Sequence, residues 1–411
     1  MFGGEEMLVK NRFLRYVSVC TSSNRESTTV PSSYRQFDLA HMLAFELRGM
    51  GVSDVRVDNS GIVYAKIPAT LGYEKKTPIA FLAHLDTFPD ICGENVNPQI
   101  IENYNGEDVT LGTSGLVLSS SDFLHLSKLK GETLITTDGT TLLGADDKAG
   151  IAEIMTAIDY ILIHKVPHGA ISIAFVSDEE IGHGSDHFDV KNFGAERAYA
   201  IDGGAAGEVI YENFNAAQVE VHVTGKIGHT GSAKHQMVNA QLIGMEIFQM
   251  LPPKEIPALT ENREGFYHLL SSHGDVGEAV YIYEIRDHDE TLFRERIGMF
   301  TKIQEQMNMK YGEGTVAVSV MEKYRNMQTK IESCPDMIAA AVEANRLAGV
   351  SPNIIPVRGG LIGSRLSFKG ILCPSLGSSG YAYHSVMEHI TVQSMEKVTN
   401  IIIELVKQYA E

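Results

Sequence analysis

The sequence predicts an α/β fold: one domain around a mixed, mostly parallel sheet, interrupted in the chain by an α+β insert. Three observations carry this expectation. Short apolar runs alternate with helical patterns up to about residue 202, as a parallel sheet flanked by helices requires. Near residue 214 the pattern becomes strict apolar–polar alternation, which marks a sheet with one wet face. Past residue 327 helices and short apolar pieces return. The 411 residues leave room for such a division, at roughly 150 residues per domain.

Taken in order, residues 8–20 and 34–50 read as helices, with Gly51 placed for a C-terminal cap. Val55–Val57 and Ile62–Ile67 read as a hairpin around Asn59-Ser-Gly61. A strand, Pro78–Ala83, follows, and then a loop-rich stretch over 90–133. Lys148–His164 carries Ile151, Ile154, Met155, Ile158 and Ile161 at helical spacing. From 214 the order reads β-α-β-β-α-β, a ferredoxin-like unit. This sets one discontinuous domain at 1–213 and 327–411, and the insert at 214–326. The last elements are helices near 335–348 and 393–409.

A formal charge of −18 argues against nucleic acid and anionic membrane surfaces as partners. Cys20, Cys92, Cys334 and Cys373 are scattered with no CxxC spacing, so a disulfide framework is not expected. The start, Met1-Phe-Gly-Gly-Glu-Glu, shows no signal-peptide pattern, and no apolar run reaches the ~18 residues that span a bilayer. A cytoplasmic location is the expectation.

Four apolar runs end on metal-type ligands. Pro78–Ala83 leads into His84-Leu-Asp86, Thr141–Ala145 into Asp146-Asp147, Ile171–Val176 into Ser177-Asp-Glu179-Glu180, and Ala198–Ile201 into Asp202. Open α/β sheets gather ligands at the carboxyl ends of their strands, so these side chains are aimed at one place. His384, in Gly380-Tyr-Ala-Tyr-His384, is a fifth group. The arithmetic suits a pair of cations: His84 and Asp202 on one, Glu180 and His384 on the other, and Asp146 shared. Mixed imidazole and carboxylate donors favour zinc, with manganese or cobalt as alternatives. Asp86, two residues from His84, is placed to orient the imidazole. Glu179 points away from its neighbour Glu180 and is the candidate general base. Read alone, Asp178-Glu179-Glu180 is also compatible with a solvated turn. His229, in a glycine-flanked turn, could project into a cleft. Arg286 could hold a carboxylate or simply pair with Asp287 or Asp289.

Together these residues resemble the peptidase T family, the tripeptide aminopeptidases among dinuclear zinc exopeptidases. The resemblance spans nearly the whole chain. It rests on Arg12-Phe-Leu-Arg-Tyr-Val-Ser, Ala83-His84-Leu-Asp86-Thr, Leu143-Gly-Ala-Asp146-Asp-Lys-Ala-Gly, Asp178-Glu-Glu-Ile-Gly and Ala200-Ile-Asp202-Gly-Gly. Met237-Val-Asn-Ala, Ile285-Arg286-Asp, Arg358-Gly-Gly and the His384 segment add to it.

The resemblance implies a zinc-exopeptidase-like catalytic domain and an inserted dimerisation (lid) domain. It implies two zinc ions per subunit, the metal roles just given, and a cis peptide after Asp146. It makes His229, Arg286 and Arg358 substrate contacts, with His229 a possible oxyanion donor, and the partner a second copy joined through the insert. The expected activity is removal of the N-terminal residue from short peptides. Leu361-Ile362 replaces the family's Thr-Asp, and Ala382 replaces an amide-bearing residue. The alternative is therefore a related two-metal amidohydrolase, an N-acyl amino acid deacylase or a carboxypeptidase/dipeptidase. A catalytically dead metal-binding scaffold is a third reading. A serine hydrolase lacks its Gly-x-Ser-x-Gly elbow in this sequence.

Overall fold

The computed structural model describes residues 8–411. Met1–Glu6, where the sequence shows no export pattern, lies outside them. The chain divides into two compact units. The first comprises residues up to Tyr211, Thr329–Ile355 and Arg365–Glu411, and the second comprises Glu212–Gln328 and Pro356–Ser364. The short return of 356–364 to the second unit is invisible in the sequence pattern. It follows from contacts such as Arg358 Nη2 donating to Thr260 Oγ1 at 2.8 Å.

The first unit holds an eight-stranded mixed sheet. Its four central strands, Ile171–Val176, Ile79–His84, Ala198–Ile201 and Ser375–Leu376, run parallel. Towards the edges, Val63–Ile67 with Asp54–Val57 and Glu208–Asn213 pair antiparallel. The strands Ile79–His84, Ile171–Val176 and Ala198–Ile201 are buried at every position. This is why they read as continuous apolar runs rather than alternating ones.

Helix Ala145–Ile163 packs on this sheet and is buried along most of its length. It lies so close that a Cβ at Gly150 would sit 2.2 Å from the Ile201 carbonyl oxygen. Glycine is the only residue that fits there. The first helix, Val9–Val17, is pinned through buried Arg12, which donates to Glu46 at 2.7 Å and Asp159 at 2.6 Å.

One expected strand end is absent. Thr141–Ala145 is buried but belongs to no sheet. Its N–H groups go elsewhere: those of Leu143 and Gly144 both donate to Glu388 Oε2 at 2.8 Å. Gly144, at φ 81°, turns the chain into the helix.

The second unit is β-α-β-β-α-β: Asn215–Thr224, Ala240–Met250, Phe266–Gly274, Glu278–Asp287, Glu290–Tyr311 and Val316–Tyr324. The antiparallel strand order, with Asn215–Thr224 between the last and third strands, is the ferredoxin-like arrangement. Val219, Val221 and Val223 face a core with Ile243, Ile247, Phe293 and Phe300, and the residues between them face outward. Among the described residues, no helix is long and apolar enough to cross a membrane.

Candidate metal centre

Strand ends and one loop bring the ligand-type side chains of the first unit together. His84 is the last residue of its strand, and Asp202 directly follows another. Glu180 lies in the turn after Ile171–Val176, and Asp146 lies where Ala145–Ile163 begins. The Asp146–Asp147 peptide is cis, as the resemblance implied, and both residues depart from helical geometry.

His84 Nε2 is 2.9 Å from Asp146 Oδ1 and 3.8 Å from Asp202 Oδ1. His384 Nε2 is 2.9 Å from Glu180 Oε2 and 3.3 Å from Asp146 Oδ2. Two triads result, His84–Asp146–Asp202 and Asp146–Glu180–His384, with donor atoms in each within 4.8 Å of one another. Asp146 is common to both and turns one oxygen to each imidazole.

The donor set fits divalent cations. Three carboxylates and two imidazoles converge, and Glu180 Oε1 is buried without a hydrogen-bond partner. Burial pushes Glu180 up to about 7, with the charge of Asp146 adding to it. Burial likewise pushes Asp202 up to about 6, against the pull of His84. Such carboxylates require positive charge to stay ionised. Burial opposes ionisation of Asp146 as well, but His384 and His84 together hold it below the usual carboxylate range. Burial disfavours the charged form of His384, yet Asp146 and Glu180 raise it to about 10. His84 is raised too: burial opposes this, and Asp146 and Asp86 overcome it.

Asp86 stands beside His84 with two groups. Its main-chain carbonyl meets His84 Nδ1 at 2.9 Å, whereas its carboxylate stands 3.5 Å away. The carboxylate accepts the N–H groups of Glu179 at 2.9 Å and Glu180 at 3.1 Å. One buried aspartate thus ties the His84 strand end to the Glu179-Glu180 turn. The Asp178 carboxylate anchors the same turn from outside, accepting from the Ser32 main chain at 2.7 Å and Gln36 at 2.6 Å. Burial, and next the charge of Asp202, raise Glu179 well above the ordinary glutamate value.

His229, Arg286 and Arg358 all belong to the second unit. His229 is exposed in its turn. Arg286 pairs with neither Asp287 nor Asp289. It donates to the Arg358 carbonyl at 2.6 Å and to Glu284 at 2.9 Å, while Asp287 takes Arg296 at 2.7 Å. Arg358 lies over Phe214, 5.0 Å from the ring centroid, and donates to Thr260 and to the Asn262 carbonyl.

Three contributors were missed in the sequence. Buried Glu388 accepts three main-chain N–H groups, from Leu143, Gly144 and Asp146, and so holds the backbone that presents Asp146. Buried Asp147 accepts the His84 N–H at 3.1 Å. Phe88 lies parallel to the His384 ring at 4.1 Å. Asp147 had a signal as half of an acidic doublet. Glu388 was only the end of His384-Ser-Val-Met-Glu, and Phe88 had no polar chemistry to notice.

A peptidase dimerisation domain profile matches residues 211–314. Clustered imidazoles and carboxylates at the strand ends of a mixed α/β sheet, in a chain that also carries such a domain, define a metal-dependent peptidase. Peptidase T of Clostridium perfringens strain 13 is 47% identical over 98% of this chain and 99% of its own length. The chain belongs to the peptidase T family and is an aminopeptidase of that kind. The crystal structure of aminopeptidase PepT from Bacillus cereus shares the fold, at TM-score 0.79 and 21% identity over 99% of both chains. A dinuclear metal-binding M20-family peptidase of Bacillus subtilis also shares it, at TM-score 0.67 and 13% identity over 97% of both chains.

Proposed function

We propose that this enzyme removes the N-terminal residue of short peptides, tripeptides above all, with two zinc ions at one centre. The observation that carries this reading is Asp146, whose two carboxylate oxygens face two separate imidazole–carboxylate sets. His84 and Asp202 would hold one ion, Glu180 and His384 the other, and Asp146 would serve both. Zinc suits this donor mix, with manganese and cobalt next. A bound pair of such ions supplies the charge that polarises a carbonyl and acidifies water.

The remaining steps belong to the chain. Glu179 takes the proton of the attacking water, and its raised affinity for a proton suits that task. It then delivers the proton to the amine that leaves. Asp86 fixes Glu179 and Glu180 through their N–H groups, so base and ligand share one support. His229 donates to the developing oxyanion. Arg286 takes the peptide's carboxylate in exchange for its present contacts, and Arg358, engaged with Thr260 and the Asn262 carbonyl, assists it.

The dimerisation-domain match at 211–314 supports a homodimer formed through the second unit. Four free thiols, with no membrane-crossing helix among the described residues, support a cytoplasmic setting. A panel of free-amine tripeptides and N-acetylated dipeptides, assayed with added zinc, manganese or cobalt, tests the substrate assignment. Free-amine tripeptides are turned over and blocked peptides are not. Preference for the N-acyl substrates would move the enzyme to the amidohydrolase alternative.

A further inference from the structure

His384 differs from the other ligand-type residues of the centre. It sits on a loop at φ 55°. Its side chain is 41% exposed, whereas those of His84, Asp146, Glu180 and Asp202 are at most 12% exposed. A metal-bound histidine ordinarily donates its second ring nitrogen to a carbonyl or carboxylate, which fixes the ring plane. His84 has that support from the Asp86 carbonyl. For His384, both polar contacts run through Nε2. What lies against the imidazole is Phe88, with centroids 4.1 Å apart and planes only 4° from parallel.

Phe88 is well placed to act as a fixed wall. It is four residues beyond His84 and two beyond Asp86, on the segment that leaves the buried strand Ile79–His84. Thr87, just before it, is bridged to Ser22 and is buried. The Arg25 guanidinium lies 5.5 Å from the Phe88 centroid and bears on the same ring. A ring that approaches parallel to the imidazole restricts its tilt and leaves Nε2 free to meet Asp146 and Glu180. A phenyl face also attracts an imidazole that carries positive charge, whether from a proton or from a bound cation.

We infer that Phe88 is the positioning residue for His384, replacing by ring stacking the hydrogen bond that other metal-bound histidines receive. This rests on the assignment of His384 as a ligand of the Glu180 ion. The ion held by His84 and Asp202 gains nothing from Phe88, so the effect is confined to one of the two sites.

The test is a zinc titration of metal-stripped full-length enzyme against a chromophoric chelator, for wild type, Phe88→Ala, Phe88→Tyr and His384→Ala, with thermal melts of each. The expectation for Phe88→Ala is one site at wild-type affinity and a second weakened about 10-fold or more, the usual scale for loss of a ligand's support. Phe88→Tyr restores the second site. Turnover of Phe88→Ala recovers as zinc is raised, because the lost quantity is affinity. Two unchanged sites in Phe88→Ala would overturn the inference. So would equal weakening of both sites with a lowered melting temperature, which would make Phe88 a packing residue only. If His384→Ala itself keeps two tight sites, the ligand assignment beneath the inference fails instead.

Discussion

The two sheets of this protein use polar residues in opposite ways. In the first unit the central strands are buried at every position and carry no ionisable carboxylate or imidazole before their ends, and such groups appear only where they stop, at His84, Asp202 and the Glu179-Glu180 turn. In the second unit polarity alternates along the strand: Val219, Val221 and Val223 are buried, and His222 and Thr224 are exposed. A polar group at the end of a buried strand must find a partner or a cation, since desolvation without one costs several kcal/mol. A polar group on a wet face needs neither. Substitutions at the strand ends of the first unit should therefore change chemistry, and those on the wet face of the second should change little.

The largest effect is expected at Glu179. Glu179→Ala should lower kcat about 10²- to 10⁴-fold, the range for a lost general acid–base group, with metal content unchanged. Assays at saturating substrate, with metal analysis of the same sample, check this. Full activity would remove Glu179 from the base role.

Glu388 comes next. Glu388→Ala strands three main-chain N–H groups, and the two buried ones, of Leu143 and Gly144, cost about 1–3 kcal/mol each. The expected loss is roughly 3 kcal/mol or more of unfolding free energy in urea, together with weakened metal binding as Asp146 loses its backbone support.

A pH effect of similar size is expected from a pair of imidazoles that are not among the ligands. His125 and His389 share an Nε2–Nε2 contact of 2.8 Å, and His389 Nδ1 donates to the Met387 carbonyl at 2.7 Å. His389 therefore accepts at Nε2 and is neutral. Burial pushes it down to about 4, with His125 opposing protonation as well. Between about pH 6.5 and 4 the unfolded chain binds a proton that the native state refuses, so stability falls as pH drops through that window. The full loss is about 3 kcal/mol at 1.36 kcal/mol per pKa unit. His389→Asn should flatten this slope in melts recorded across the window.

The smallest effect is expected on the wet face. Glu220→Ala breaks its pairing with His222, yet both are partly exposed. Stability should change by no more than about 0.5 kcal/mol and turnover not at all. A large change in either would blur the contrast between the sheets.

What could be read in advance follows the same contrast. His84, Glu180 and Asp202 were legible because a buried strand announces its own end. The ferredoxin-like order was legible because alternation and helix spacing are local signals. Asp146 was found by type and misplaced by structure: its apolar approach, Thr141–Ala145, reads as a strand but is an irregular segment whose Leu143 and Gly144 N–H groups go to Glu388, over 240 residues away. No local pattern encodes such a partner. The parallel contact of Phe88 with His384 is equally silent, joining residues far apart in the chain through shape rather than charge. Asp86 was assigned to His84 from its spacing, but its carboxylate serves two N–H groups that only the folded turn brings to it.

The account depends most on Asp146 serving two ions at once. Metal content measured by mass spectrometry on wild type, Asp146→Ala and Asp202→Ala puts this to the test. Two ions in wild type, one in Asp202→Ala and essentially none in Asp146→Ala is the predicted pattern. One ion retained at full affinity in Asp146→Ala would contradict it, because the carboxylate would then belong to a single site.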